Sequence, residues 1–162
     1  MKRIVIPLII MACGFMMVGC KKGVTPLNTP LLGNTWIVNG ISDTATSVLR
    51  DSLAGIISIN ALNSKGQDGL VLSFSRKPVV SGSYSVGFTD PSDSGKVDIS
   101  AFRTVSGVNL YQYDSRKGIA SKVNAIVTII NNKIQVTMPE LRVLNFNDDD
   151  TGTVSSYQIF EQ

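Results

Sequence analysis

The residues with the clearest potential for chemistry lie near the end of the sequence, where oxygen-bearing side chains follow one another closely. They are Asn145, Asn147, Asp148, Asp149 and Asp150. Carboxylate and amide oxygens are the ligands that a hard cation such as Ca²⁺ prefers. The helix-loop-helix calcium pattern is absent, because Gly152 falls two places too late for its sharp turn and the closing glutamate is missing. We expect a solvated turn that serves as a binding loop and holds no metal, with calcium binding as the alternative.

Residue types that support catalysis are scarce in the rest of the sequence. The chain has no histidine, which excludes serine-histidine-aspartate triads, cysteine-histidine nucleophiles and histidine zinc sites. It also lacks a glycine-rich nucleotide-binding pattern. Tyr111, Tyr113, Tyr84 and Trp36 are either a stacking platform for a sugar or, more commonly for aromatics alternating on strands, core packing. We therefore predict a protein that is not an enzyme and has no cofactor.

The two cysteines lie within the first twenty residues and indicate how the chain is delivered. Lys2 and Arg3 precede an apolar run over residues 4–18, which is the layout of a secretory signal. This run is shorter than the roughly 20 residues that span a bilayer comfortably. An ordinary cleaved signal and an uncleaved helix are the alternatives that this pattern leaves open. Cys13 would leave with a cleaved signal.

The end of the apolar run, Met17-Val18-Gly19-Cys20, resembles the bacterial lipobox. The resemblance implies cleavage before Cys20, a diacylglycerol thioether on its sulfur and a further acyl chain, such as palmitate, on its amine. Two or three acyl chains hold a protein stably on a membrane, where one chain does not. The mature chain would then contain neither a free thiol nor a disulfide. We expect the membrane to be its first partner, contacted through Cys20.

The net charge of the mature chain and the segment after Cys20 indicate where the protein is located and which partners it can have. Removing the two cations of the signal lowers the net charge from +3 to +1, which argues against a nucleic-acid partner. Residues 20–33 have two prolines and no periodicity, as expected of a tether. Lys21 and Lys22 stand where sorting signals for the inner membrane or the cell surface would place acids. We therefore predict an outer-membrane lipoprotein of the cell envelope that faces the periplasm rather than the cell surface.

From residue 34 to residue 162 the sequence predicts an antiparallel β domain. Apolar and polar residues alternate, and turn residues interrupt them about every 8 to 12 positions. We expect an all-β fold, a sandwich or barrel of about 8–10 strands, after a signal-peptide helix over 1–19 and the tether over 20–33. The clearest hairpin pairs residues 122–130 with 133–138 across a tight turn at Asn131-Asn132.

Three further segments carry specific predictions. Residues 36–41 are expected to form one strand, and residues 44–53 carry a weak helical alternative. Pro139 makes residues 141–146 either a bent continuation or a new edge strand. The apolar phase of the alternation predicts a core of Trp36, Val38, Ile57, Ile59, Leu70, Leu72, Phe74, Tyr84, Val86, Val97, Ile99, Leu110, Val123, Ala125, Val127, Ile129, Ile134, Val136, Met138 and Ile159.

The mature chain is similar to the small β-rich lipoproteins of uncharacterised function found in Bacteroidota. The similarity lies in the lipobox, the short tether, the opening Trp36-Ile-Val-Asn-Gly, the central Ser81-Gly-Ser-Tyr-Ser-Val strand and the hairpin around Asn131-Asn132. It implies an immunoglobulin-like or lipocalin-like fold. We expect a lipid-anchored binding or structural module that meets an envelope protein or a glycan. The alternative is a lipocalin-like carrier of a small apolar ligand.

Overall fold

The computed structural model describes residues 32–87, 93–115, 123–146 and 150–162, and this part of the chain is all-β, as the alternation predicts. It contains eleven strands and no helix. The expected signal-peptide helix and most of the expected tether lie outside the described residues. The strands are β1 (Thr35–Val38), β2 (Ile41–Thr44), β3 (Ser47–Leu53), β4 (Ile56–Leu62), β5 (Asp68–Phe74), β6 (Gly82–Val86), β7 (Lys96–Val105), β8 (Val108–Asp114), β9 (Asn124–Ile130), β10 (Lys133–Asn145) and β11 (Thr151–Phe160).

All eleven strands belong to one sheet. Ten of them follow the order β2-β1-β11-β10-β9-β6-β7-β5-β4-β3, and β8 pairs with both β7 and β10. Every pairing is antiparallel except the short parallel contact between β6 and β7. The sequence left a sandwich and a barrel open, and a single continuous sheet already argues against two separate layers.

The two ends of the strand order meet, because the Gln162 amide just after β11 donates to the Val48 carbonyl of β3 at 3.0 Å. β2 and β3 are separated only by Ala45 and Thr46. The Ala45 amide donates to the Asn34 carbonyl beside β1 at 2.8 Å, and the Thr46 amide donates to the Leu62 carbonyl of β4 at 2.9 Å. The chain therefore passes from one edge of the sheet to the other at this corner. Single hydrogen bonds, and not a ladder between β2 and β3, therefore close the sheet into a barrel.

Four hairpins of the barrel turn through two residues with positive φ. The pairs are Asn39-Gly40, Ala54-Gly55, Ser106-Gly107 and Asn131-Asn132, with φ between 50° and 86°. Two successive left-handed residues make the primed turn whose twist matches that of the flanking strands. The predicted turn at Asn131-Asn132 is confirmed, and Lys133 pairs with Ile130 directly beyond it.

The same turns correct two sequence predictions. Residues 36–41 are not one strand, because Asn39-Gly40 folds them into the β1–β2 hairpin. Residues 44–53 are not helical, because β3 pairs with β4 along its whole length, from Ser47 with Leu62 to Leu53 with Ile56. Long-range pairing overrides a weak local preference for helix here.

The barrel interior is filled by side chains. Most of the predicted core is buried, including Trp36, Phe74 and Met138, each at most 2% exposed. Leu110 was predicted wrongly and is 55% exposed, because it lies on the outer face of β8. Ile57, Val123 and Ile129 are only partly buried. The predicted core omitted eight further buried residues: Ala45, Val48, Ala61, Ala101, Tyr113, Leu141, Val143 and Val154.

β10 bends in its middle. It runs without a break through Pro139, so residues 141–145 continue the same strand. Its register with β11 shifts once between Val136 and Met138 and again between Met138 and Leu141. The two shifts place one extra residue on β11 and then one on β10. Pro139 falls in the second shift, where a missing amide hydrogen disrupts no regular ladder.

Candidate binding surfaces

The predicted acidic binding loop follows β10, and the structure places its two ends. Asn145 is the last residue of β10 and is only 4% exposed, with its amide oxygen accepting a hydrogen bond from the Gln112 backbone at 3.3 Å. Asp150 is exposed, and its carboxylate accepts from the Thr151 amide at 2.8 Å. Asn147, Asp148 and Asp149 lie outside the described residues. Asn145 is thus part of the barrel wall, and a binding role for the loop stays a prediction.

The aromatic residues are mainly core packing rather than an open platform. Trp36 and Tyr84 are buried, and the Tyr84 ring meets Phe74 edge-on at 5.9 Å between centroids. Tyr113 is 5% exposed, and its hydroxyl accepts from the Asn39 side chain at 2.8 Å. Only Tyr111 is partly accessible, tilted against Tyr113 with 5.0 Å between centroids. A single half-covered ring does not form a stacking surface.

A polar cluster closes one end of the barrel, and sequence reasoning missed it. Arg103 on β7 donates two hydrogen bonds to the Asp68 carboxylate on β5, at 2.8 and 3.0 Å. The side-chain amide of Asn63 donates to the carboxylates of both Asp68 and Asp43, at 3.1 Å each. The guanidinium carbon of Arg103 also lies 5.8 Å from the centre of the Tyr111 ring. These five residues come from β2, β5, β7, β8 and the turn after β4.

The electrostatics of this polar cluster indicate a structural role. The bidentate bond from Arg103 holds the pKa of Asp68 below its ordinary value, although burial acts in the opposite direction. The same bond raises the pKa of Arg103, and burial raises the pKa of Tyr111. A general acid at neutral pH would need a raised carboxyl pKa instead. Within the described ranges, no three acidic or cysteine side chains approach closely enough to share a metal ion.

An apolar groove lies on the outer face of β1, β11, β10 and β9; we call it the outer groove. Its volume is about 370 Å³. The outward residues Ile37, Ile126 and Tyr157 contribute its apolar surface, and Glu140 stands exposed at its rim. The register shifts of β10 produce it, because pairing with β9 stops at Thr137 and β10 then turns away. The remaining lining comes from Thr35, Thr137, Met138, Pro139, Ser155 and Ser156.

Cys20, the predicted lipid-attachment residue, lies outside the described residues. The described part of the chain has no apolar helix of the length needed to cross a membrane. No protein-family model, no curated protein and no solved structure matches this chain.

Proposed function

We propose that this protein is a lipid-anchored lipoprotein of the cell envelope that acts as a non-enzymatic binding or structural module. In this proposal Cys20 is the acylated first residue of the mature chain and holds it on the outer membrane, facing the periplasm. The domain after the tether presents its outer surface and loops to an envelope protein or a glycan. The Met17-Val18-Gly19-Cys20 sequence supports the anchor.

The packed interior of the barrel is the observation that favours a binding module over a carrier. A carrier encloses its ligand, and small-molecule sites typically take up about 300–1,000 Å³ of concave space. Here Trp36, Phe74, Leu72 and Ile99 fill the interior, each no more than 2% exposed. Recognition must then use the outside of the barrel. The outer groove, the loop after β10 and the hairpin turns are the surfaces available for it.

Two of the described acids support the non-enzymatic part of the proposal. Asp68 is held ionised by Arg103. Glu161 is buried, and its carboxylate is bonded to Arg50 at 3.1 Å and to the Ile134 amide at 3.0 Å. Carboxylates tied into the barrel in this way are not available to move protons to and from a substrate.

Membrane fractionation of two matched cysteine variants tests the anchor. Cys20→Ser removes the acylated residue, whereas Cys13→Ser makes the same chemical change inside the signal. We expect the wild type and Cys13→Ser to float with outer-membrane vesicles, and Cys20→Ser to accumulate unprocessed or in the soluble fraction. Equal flotation of all three forms would overturn the proposal.

The outer groove favours one second candidate, a carrier that holds a small apolar ligand on its outside rather than within the barrel. A fluorescent apolar probe titrated onto the purified protein tests it. Saturable binding with one site per chain, abolished by Ile126→Asp and retained by Ile130→Asp, would support the carrier. Ile130 is a suitable control, because it is exposed on the same strand but does not line the groove. Probe binding that neither substitution changes would favour the binding or structural module over the carrier.

A further inference from the structure

Residues 32–34 lead into β1 between two neighbours, since the Asn34 amide donates to the Gln158 carbonyl of β11 and the Asn34 carbonyl accepts from the Ala45 amide. Three other segments lie together at one end of the barrel, which we call the proximal end: the β3–β4 turn, residues 75–81 after β5, and the β9–β10 turn. Lys77 joins the last two, since its ammonium donates to the Asn132 side chain at 2.6 Å. The distal end holds the polar cluster and the β7–β8 turn.

The proximal end exposes aliphatic side chains from two neighbouring segments. Leu53 is 78% exposed and Ile56 is 41% exposed, on either side of the β3–β4 turn. Val79 and Val80 are 78% and 67% exposed in the segment after β5. Side chains of this kind insert among lipid headgroups and the upper parts of acyl chains.

Cations accompany these aliphatic residues. Arg76 and Lys133 are exposed and Lys77 is half-buried, and no described residue forms an ion pair with any of the three. Asp51 is the exposed acid nearby, while Asp93 and Glu161 are already paired with Lys96 and Arg50. The proximal end therefore carries an excess of positive charge. Anionic membrane surfaces attract such clusters, at about 1 kcal/mol per Lys or Arg, which is about fivefold in binding.

The distal end differs in charge although it also exposes aliphatic side chains. Val105 and Val108 flank the β7–β8 turn and are 45% and 61% exposed. The acids Asp43, Asp68 and Asp150 at this end are balanced by the cations Lys65, Arg103 and Arg142. Exposed aliphatic area alone would not separate the two ends, but only the proximal end carries an excess of positive charge among its described residues.

We propose that the proximal end is a membrane-docking surface that rests on the anionic headgroups of the bilayer holding the anchor. This inference rests on the proposed acylation of Cys20. Twelve residues, from Cys20 to Leu31, separate the anchor from the described domain, and a chain of that length reaches at most about 40 Å. This reach is long enough for the proximal end to rest on the bilayer. Docking leaves the distal end and its loops directed away from the membrane, where partners can reach them.

Two matched labelling sites test this orientation in the anchored full-length protein. Ala54 and Ser106 are both exposed first residues of two-residue turns, each with a φ of 52°, at opposite ends of the barrel. Cysteine introduced at either position is the only free thiol once Cys13 has been removed and Cys20 acylated. Each variant, Ala54→Cys or Ser106→Cys, is labelled with a fluorophore and reconstituted in vesicles containing anionic phosphatidylglycerol and a headgroup quencher.

We expect the label at residue 54 to be quenched severalfold more strongly than the label at residue 106. High salt, or the double change Arg76→Glu with Lys77→Glu, should reduce the difference, because both weaken attraction to anionic lipid. Vesicles of phosphatidylcholine alone should show the same reduction. Protein that floats with the vesicles but shows equal quenching, or stronger quenching at residue 106, would overturn the docking while leaving the anchor intact. Protein that does not float would overturn both.

Discussion

Removing the hydroxyl of Ser156 should stabilise this protein. Ser156 lies on the inner face of β11, 5% exposed, between its cross-strand partners Trp36 and Met138. Among the described residues, its Oγ is the one buried side-chain polar atom without a hydrogen-bond partner. Leaving such a group unsatisfied costs about 1–3 kcal/mol. Ser156→Ala deletes that penalty and leaves a gap smaller than a methyl group, so we expect a gain of about 1 kcal/mol.

Ser73→Ala is the matched control. The hydroxyls of Ser73 and Ser58 lie 3.1 Å apart on neighbouring strands, so this change removes a hydrogen bond that is made. It should lower the free energy of unfolding by about 0.5–1.5 kcal/mol. Urea unfolding, followed by circular dichroism and by the single tryptophan, measures both variants. For a domain of this size the gain from Ser156→Ala corresponds to about 3–5 °C in Tm. A loss of stability in Ser156→Ala as large as that in Ser73→Ala would refute the reasoning.

Three other predictions follow from burial, close contact and charge. Val127→Asp places a carboxylate at a fully buried position and should lower the free energy of unfolding in urea by more than about 4 kcal/mol. Gln135→Lys on the outer face should lower it by less than about 0.5 kcal/mol. Equal effects would mean that the β9–β10 register is wrong. Gly152→Ala would bring a Cβ within 2.6 Å of the Tyr113 ring and should lower the free energy of unfolding by about 1–3 kcal/mol. A Cβ at Gly82 meets nothing within 4 Å, so Gly82→Ala should change stability little. An equal fall in Tm for the two variants would contradict this. Because the pKa of Asp68 is lowered in the folded state, its contribution to stability is present above its unfolded pKa of 3.8 and is lost as the pH falls through the folded value. In Asp68→Asn the free energy of unfolding should therefore fall less steeply below about pH 4 than in the wild type. An equally steep fall in both proteins would contradict this role of Asp68.

Local sequence signals predicted the parts of the fold that depend on local chemistry. Alternation identified most inward residues, and the Asn131-Asn132 pair identified a tight turn, because asparagine tolerates positive φ better than most residues. The Asn39-Gly40 pair carries an even stronger signal for the same turn and would have divided residues 36–41 correctly. Ala54 gives no such signal. Its φ of 52° is imposed by the pairing of β3 with β4.

Features that depend on the pairing of segments far apart in the chain could not be predicted from the sequence. Alternation shows which residues share a face but not which face is buried, which explains the wrong assignment of Leu110. The bond between Asp68 and Arg103 joins residues 35 positions apart and requires the register of β5 against β7. The outer groove depends on two register shifts around Met138 that no local pattern encodes. Candidate surfaces assembled from several strands are therefore visible only in the folded barrel.

The chemical state of Cys20 is the central claim of this account, and mass spectrometry of the membrane-extracted protein measures it most directly. The account predicts an N-terminal peptide that begins at Cys20 and carries the added mass of a diacylglycerol thioether and an amide-linked acyl chain. A chain in the membrane fraction that still begins at Met1, or that has an unmodified thiol at Cys20, would contradict it.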